Sequence, residues 1–449
     1  MPKFEIPEGW SAQAYKFALD PAPAQVQAFE SHNGGRRRAR NYELGRVKAI
    51  MAQREAENSY GIPEHDLTPR ADWSAYRLRK HWNQVKNQVA PWWTENSKEA
   101  YANGLADLAA ALKNWDDSRK GKRQGARMGF PGFETKHRSA KRFTFTTGAI
   151  RVEPDRRHVV LPKIGKVRTH ENTRQLERRV RNGTARVLRA TVRCEHGRWF
   201  VSFGCIVQRR TVAPRPPGSI VGVDVGVKDL VVVARPDGTE AERVPAPADL
   251  KHAQRRLRAV QRAKSRRIEG SRGWRDAEAQ VTNLHARIAG IRADRMHKLT
   301  TRLIRDHDVI GVETLNVKGM AARGGKRKTG LNRAIHNAAP GRLLYQIDYK
   351  AAWNGATVIK ADRWFPSSKT CSCCGVVKAK LALHERTYIC TACGVRIDRD
   401  LNAAVNLAKL AEAELRPSSG GAACKTAASA AAAAVKPKPG QAWKPGMAA

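Results

Sequence analysis

No stretch of the chain approaches the roughly 20 consecutive apolar residues that a membrane-crossing helix requires, so membrane binding of that kind is not expected. The opening Met1-Pro2-Lys3-Phe4-Glu5 holds no apolar export core, and a cytoplasmic protein is predicted. A Walker-type phosphate loop is also missing, which removes the usual signature of nucleotide hydrolysis. Acidic residues are scarce beside basic ones: 41 Asp and Glu stand against 83 Lys and Arg, a net charge of +42. Such an excess repels itself unless a polyanion shares the surface, and nucleic acid is the polyanion that fits. What is there is a globular composition, 41% hydrophobic and 28% charged, on 449 residues, a length that calls for two to four domains.

Few of the carboxylates stand in apolar surroundings, and those few are informative. Asp224 ends the run Ile220-Val221-Gly222-Val223, and Glu313 ends Val309-Ile310-Gly311-Val312. Both runs read as buried strands. Asp400 lies in Asp398-Arg399-Asp400-Leu401-Asn402-Ala403-Ala404-Val405-Asn406, where Asp and Asn favour a helix start and the alanines continue it. Acids in such places are costly to bury without compensation. If the two strands and the helix start meet, Asp224, Glu313 and Asp400 converge and call for a hard divalent cation, Mg²⁺ or Mn²⁺. Asp398 is the second choice for the third position. Asp229 and Asp237 read as satisfied turn residues. An order of first strand, fourth strand and final helix is the ribonuclease H arrangement of acids, which supports two-metal phosphodiester hydrolysis.

Four of the eight cysteines form Cys371-x-x-Cys374 and Cys390-x-x-Cys393, with fifteen residues between the pairs. In a reducing compartment that spacing predicts a zinc ribbon whose four thiolates take a structural Zn²⁺. Cys373 is expected to be a spare thiol, and Cys194, Cys205 and Cys424 ordinary buried or tail thiols.

The fold class expected is α/β and multidomain. A strand over 12–19 and short strands from Phe143 to Gln208 suggest a small β-barrel, with the Trp-rich helical pattern before residue 116 inserted in it. Pro214-Arg215-Pro216-Pro217-Gly218 reads as a linker. Past it come a three-stranded meander, a helical hairpin from Leu250 to Leu303, a fourth strand, a Gly/Lys/Arg-rich loop over 316–338, a helix and a fifth strand. Gly34-Gly35 predicts a break followed by a basic turn, with Arg36, Arg37 and Arg38 as candidate phosphate contacts. Lys326, Arg327 and Lys328 are candidates for the same reason. The Ser/Gly/Ala/Lys/Pro composition after Arg416 predicts a disordered tail.

The stretches Gly222 to Lys228, Gly311 to Leu315, Ser367 to Ser372, Cys390-x-x-Cys393-Gly394 and Asp398 to Asn406 together resemble the transposon-associated TnpB nucleases and the related compact type V CRISPR effectors. Ala14 to Pro21 and Gly129-Phe130-Pro131-Gly132-Phe133 are more loosely similar, so the likeness spans about 12–410. The resemblance implies an RNA-guided DNA endonuclease that uses guide RNA, double-stranded target DNA and a short adjacent motif. It implies that Asp224, Glu313 and Asp400 are metal ligands of a RuvC-like domain, and that the four cysteines bind zinc. The domains it implies are a wedge-like barrel (1–20 and 126–213), a helical recognition domain (21–125), a RuvC-like domain (218–365 and 397–414, hairpin 249–306), a zinc ribbon (366–396) and a tail (415–449). The protein would act as a monomer or as a homodimer on one RNA. The rivals are a guide-dependent DNA binder without cleavage and, less in keeping with the order of the acids, a cut-and-paste transposase.

Overall fold

The computed structural model describes residues 5–209, 219–246, 248–322, 325–382 and 384–415, with backbone alone at 248–251, 326 and 327. The expected linker at Pro214 to Gly218, Cys424 and the tail beyond Leu415 lie outside the described residues. The chain divides into two compact units between Gln208 and Arg209.

In the first unit β1 (Trp10–Asp20) is followed by α1 (Pro23–Ser59), α2 (Ala75–Val89) and α3 (Lys98–Arg119). Then come β2 (Arg142–Phe145), β3 (Arg151–Val152), β4 (His158–Leu161), β5 (Gly165–Thr169), α4 (Arg174–Arg181), β6 (Ala185–Glu195) and β7 (Arg198–Gln208). The strands form one antiparallel ladder in the order β2-β6-β7-β1-β5-β4-β3, with α1, α2 and α3 inserted between β1 and β2. The ladder ends at β2 and β3, and residues of all seven strands share one core. Alternate residues Tyr15, Phe17 and Leu19 of β1 enter the same core as Phe143, Phe145, Val201 and Phe203, the period of two that a half-buried strand dictates.

The predicted break at Gly34-Gly35 does not occur. Helix α1 runs through it because the missing side chains admit α3: a Cβ at Gly35 would come 2.8 Å from the Tyr101 ring, and one at Gly104 would collide with the Arg36 carbonyl.

In the second unit β8 (Ile220–Asp224), β9 (Asp229–Ala234) and β10 (Glu240–Pro245) form the meander, and α5 (Ala248–Ser265) and α6 (Arg272–Asp306) the hairpin. Next are β11 (Val309–Val312), α7 (Val317–Met320), α8 (Gly325–Ala338), α9 (Pro340–Asn354) and β12 (Thr357–Lys360). A short hairpin, β13 (Thr387–Ile389) and β14 (Arg396–Asp398), precedes α10 (Arg399–Leu415). The sheet order is β10-β9-β8-β11-β12, with β8, β11 and β12 parallel. Residues 316–338 are thus not a loop as expected. Two helices occupy them, and Ile335 and Ala338 of α8 are buried on one side at helical spacing.

Each face of this sheet is covered. Val221, Val223, Ile310 and Val312 pack with Met296, Leu299 and Leu303 of α6 and Leu343 and Ile347 of α9. The opposite face meets α10, where Val232 and Ala234 touch Ala404 and Val405. Gly222 and Gly311 are register partners in β8 and β11. A Cβ on Gly222 would fall 2.9 Å from the Leu407 carbonyl carbon and closer still to Ala404 O and Ala408 N, and one on Gly311 would meet Leu407 O. Helix α10 lies almost backbone to backbone on the sheet because these two positions carry no side chain.

Candidate active site

The parallel pairing of β8 with β11 sets Val223 opposite Val312, so Asp224 and Glu313 emerge side by side at the same end of the sheet. Side chains alternate faces along a strand. Asp224 therefore shares a face with Gly222, and Glu313 with Gly311, which is the face that α10 covers. The first turn of α10 carries Asp400. All three carboxylates are half-buried. Desolvation pushes the Asp224 carboxyl well above the usual range, and the charges of Glu313 and then Asp400 push it further. Asp400 is raised as well, by desolvation first and then by Asp398. The Ser367 hydroxyl donates to Glu313 Oε1.

The neighbouring acids have other work. Asp398 Oδ1 accepts from the backbone N–H groups of Asp400 (3.1 Å) and Leu401 (3.0 Å), which caps α10. The Arg243 guanidinium bridges Asp398 at 3.1 Å and Asp229 at 2.9 Å. Asp237 accepts from Thr239 N at 2.8 Å, as a turn residue should. Among the described residues no Lys, Arg or His forms an ion pair with Asp224, Glu313 or Asp400. Three acids with no close ion pair among the described residues thus converge, with Arg399 acting on Asp224 and Arg386 and Arg399 on Asp400 only through longer-range charge, while the two acids beside them share one arginine. They are more widely spaced than the cysteine cluster: their oxygens do not all fall within 4.8 Å of one another.

The four-cysteine module is closed. One ligand atom from each of Cys371, Cys374, Cys390 and Cys393 lies within 4.8 Å of the others. Cys371 Sγ is 3.6 Å from Cys393 Sγ and Cys374 Sγ is 3.5 Å from Cys390 Sγ, near the edge of about 3.8 Å for a tetrahedron of thiolates at zinc bond lengths. The two halves fold alike. Cys371 N donates to Val376 O and Cys390 N to Val395 O, both at 2.9 Å. The following Gly375 and Gly394 adopt φ of 78° and 72°, where a side chain would be strained. Backbone N–H groups of Cys393 and Ala392 pull the Cys390 thiol down to about 6. Cys373 is exposed and outside the cluster, while Cys205 is buried and pushed up to about 12 by desolvation.

The basic candidates divide. Arg36 is not a surface group: it is 5% exposed and paired with Asp107 at 2.8 Å and Glu134 at 2.7 Å. Burial opposes its charge, but the two carboxylates outweigh that and hold the guanidinium above its usual range. It ties α1 to α3 and is withdrawn as a phosphate contact. Arg37 is half-buried, and Arg38 is exposed with its Nε donating to Val89 O at 3.1 Å. Lys328 donates to Ala322 O at 3.1 Å. The side chains of Lys326 and Arg327 lie outside the described residues.

Comparison with known proteins bears on the whole chain. A Mycobacterium tuberculosis protein named "Putative RNA-guided DNA endonuclease" is 43% identical over 423 residues, covering 92% of this chain and 89% of that one. The chain belongs to the TnpB family. Residues 203–323 match the family model described as "Probable transposase", and residues 341–407 match the Cas12f1-like TNB domain. A relative in Escherichia coli, "Putative RNA-guided DNA endonuclease InsQ", is 29% identical over 88% of this chain and 91% of its own. A solved Cas12f1-sgRNA-target DNA complex aligns over 89% of this chain and 99% of its own at 15% identity and a TM-score of 0.33.

Two residues that brace the elements of this candidate site were not singled out from the sequence. Asn402 and Asn406 lie one helical turn apart on α10 and are buried. Asn402 Nδ2 donates to Thr370 O, and Asn406 Nδ2 to Ser367 O and Thr370 O, all at 2.7 Å. Asn402 Oδ1 accepts from Ser372 N at 2.9 Å. The two amides anchor the entry to the cysteine module on the helix that carries Asp400. Their i, i+4 spacing was the available signal.

Proposed function

We propose that the chain is an RNA-guided DNA endonuclease that hydrolyses target DNA at Asp224, Glu313 and Asp400. The observation that carries the reading is the convergence at one end of the sheet of three acids that form no close ion pair among the described residues, beside two acids that Arg243 neutralises. The names of the relatives supply the reaction class, and the charge of +42 suits a protein that holds guide RNA and target duplex together. Base pairing then selects the sequence, while the protein contributes charge and shape.

The order of strands and acids supports a RuvC-like, ribonuclease H-type domain over 218–365 and 397–414. The first unit would serve as wedge (1–20 and 126–213) and helical recognition domain (21–125), reading a short motif beside the target. Mg²⁺ or Mn²⁺ bound by the acids would supply a water nucleophile at neutral pH and stabilise the departing oxygen. The chain's own contribution is placement. The Gly222 and Gly311 contacts fix α10, Asp398 caps it, and Ser367 orients Glu313. These carboxylates are assigned a pair of ions, which in two-metal sites stand about 3.5–4 Å apart. The cysteine module suits Zn²⁺ and leaves no open ligand position, so its role is to hold shape. The acid order, with glutamate at the end of β11 and aspartate on α10, supports hydrolysis over the strand transfer of a transposase.

The test uses protein purified with its bound RNA and a DNA duplex matching that RNA. Cutting in Mg²⁺ that EDTA stops, and that Asp224→Ala abolishes while RNA and DNA binding persist, is the expected result. Binding without cutting under every divalent ion would support a guide-dependent DNA binder, and joined products a transposase.

A further inference from the structure

Beside the proposed catalytic acids, the segment that follows β12 holds Trp364 almost wholly in solvent, at 80% exposure. Tryptophan loses more than most residues by such exposure, and an indole standing free next to a polar site has the form of a stacking platform. Its position is fixed. Ala361 N donates to Val312 O at 2.9 Å, and Thr314 Oγ1 donates to Ala361 O at 2.8 Å, which ties the segment to the strand end that presents Glu313. Trp364 N donates to Asp362 Oδ1 at 2.8 Å, and Phe365 N to Asp362 O at 3.1 Å, so a tight turn presents the ring. Three residues on, Ser367 donates to Glu313 itself. The Arg363 guanidinium lies 5.1 Å from the centre of the Trp364 ring.

We propose that Trp364 stacks on a nucleobase of the single DNA strand entering the site, with Arg363 taking a phosphate of that strand. The proposal rests on the nuclease reading and adds to it a group that positions substrate. A base offers an aromatic face whatever its identity, so one tryptophan grips a strand without sequence preference. A neighbouring guanidinium matches the phosphate beside such a base. The short chain path from Trp364 to Ser367 places the gripped base within a few nucleotides of the bond to be cut. The turn is stabilised by Asp362 and by β11 and not by the ring, which meets the Arg363 guanidinium and is otherwise open to solvent.

The experiment compares the full-length protein with Trp364→Ala and Trp364→Phe, each purified with its bound RNA. Substrates are complementary single strands carrying one abasic residue, moved stepwise through the positions around the cut. In the unsubstituted protein one or two abasic positions should slow cutting by about fivefold to about a hundredfold, the worth of one stacked base. Trp364→Ala should slow intact DNA by a similar factor and lose that sensitivity. Trp364→Phe should keep most of both, and RNA recovery should not change. Trp364→Ala cutting at the unsubstituted rate, or retaining the same abasic profile, would overturn the proposal. If the unsubstituted protein cuts nothing in Mg²⁺, the nuclease reading fails and the proposal fails with it.

Discussion

Placing one methyl group at Gly222 should disable the site through the helix seated on it. Gly222 lies in β8 with no positive φ, so alanine fits the strand backbone and the whole effect comes from contact. Its Cβ would stand under 3.0 Å from Ala404 O, Leu407 C and Ala408 N, all backbone atoms of α10 that cannot rotate away. The helix has to lift, and Asp400 lifts with its first turn while Asp224 stays in the strand. Overpacking of this kind costs about 1–3 kcal/mol, or about 2–12 °C in Tm for a unit of this size. A displacement of about 1 Å at a catalytic group costs about a hundredfold in rate. Gly222→Ala should therefore lose at least that in target cleavage while melting only modestly earlier. Gly290→Ala, in α6 with nothing within 4 Å of the added carbon, is the control and should gain about 0.5–1 kcal/mol without loss of rate. Melting curves and single-turnover cleavage on the two variants decide it. Cleavage by Gly222→Ala within threefold of the unsubstituted protein would refute the argument that α10 is seated by its missing side chains.

Further outcomes follow from other groups. Metal analysis of the purified protein should find one zinc per chain, lost in Cys390→Ser with a fall in stability and kept in Cys373→Ser. Lys350 is buried with its ammonium donating to His297 O (2.8 Å), Thr300 Oγ1 (2.6 Å) and Thr301 Oγ1 (2.7 Å). Burial lowers its pKa from 10.5 to about 8. Between those values the unfolded chain binds a proton that the folded one does not, so this group's contribution to stability rises with pH across that window. The change in urea midpoint from pH 7.5 to pH 10 should be more positive in the unsubstituted protein than in Lys350→Met. Asn406→Ala takes from the buried Ser367 carbonyl its side-chain donor and leaves Thr370 O with Asn402 alone, at a cost of about 1–3 kcal/mol. It should slow cleavage and also loosen zinc retention, which a purely local effect on α10 would not do.

The parts of this protein legible in its sequence were those with short periodicity or fixed spacing. The β-branched runs around Asp224 and Glu313 are strands with the acids at their ends, and the paired cysteines close into one cluster. The break predicted at Gly34-Gly35 came from reading glycine as an interruption, and the strand runs showed Gly222 and Gly311 without their reason. At Gly34-Gly35 and at Gly222 and Gly311 the meaning of glycine is tertiary, a place where another backbone approaches, and no local pattern shows that. The same holds for Arg36, whose partners Asp107 and Glu134 are remote in the chain. Residues 316–338 looked like a loop because Gly and Lys/Arg dominate them, yet the spacing of Ile335 and Ala338 was enough to bury one side of a helix. The choice of Asp400 over Asp398 gains a physical reason only in three dimensions, where Asp398 is occupied by the helix cap and by Arg243.

The claim beneath all of this is that Asp224, Glu313 and Asp400 share divalent cations, and anomalous diffraction tests it most directly. Crystals of the protein with its RNA and a target strand, grown in Mn²⁺ under conditions where the same preparation cuts, should show manganese scattering among those three carboxylates. That scattering should vanish in Asp224→Asn. A cutting-competent complex with no manganese among them, or with manganese only at other acids, would contradict the account.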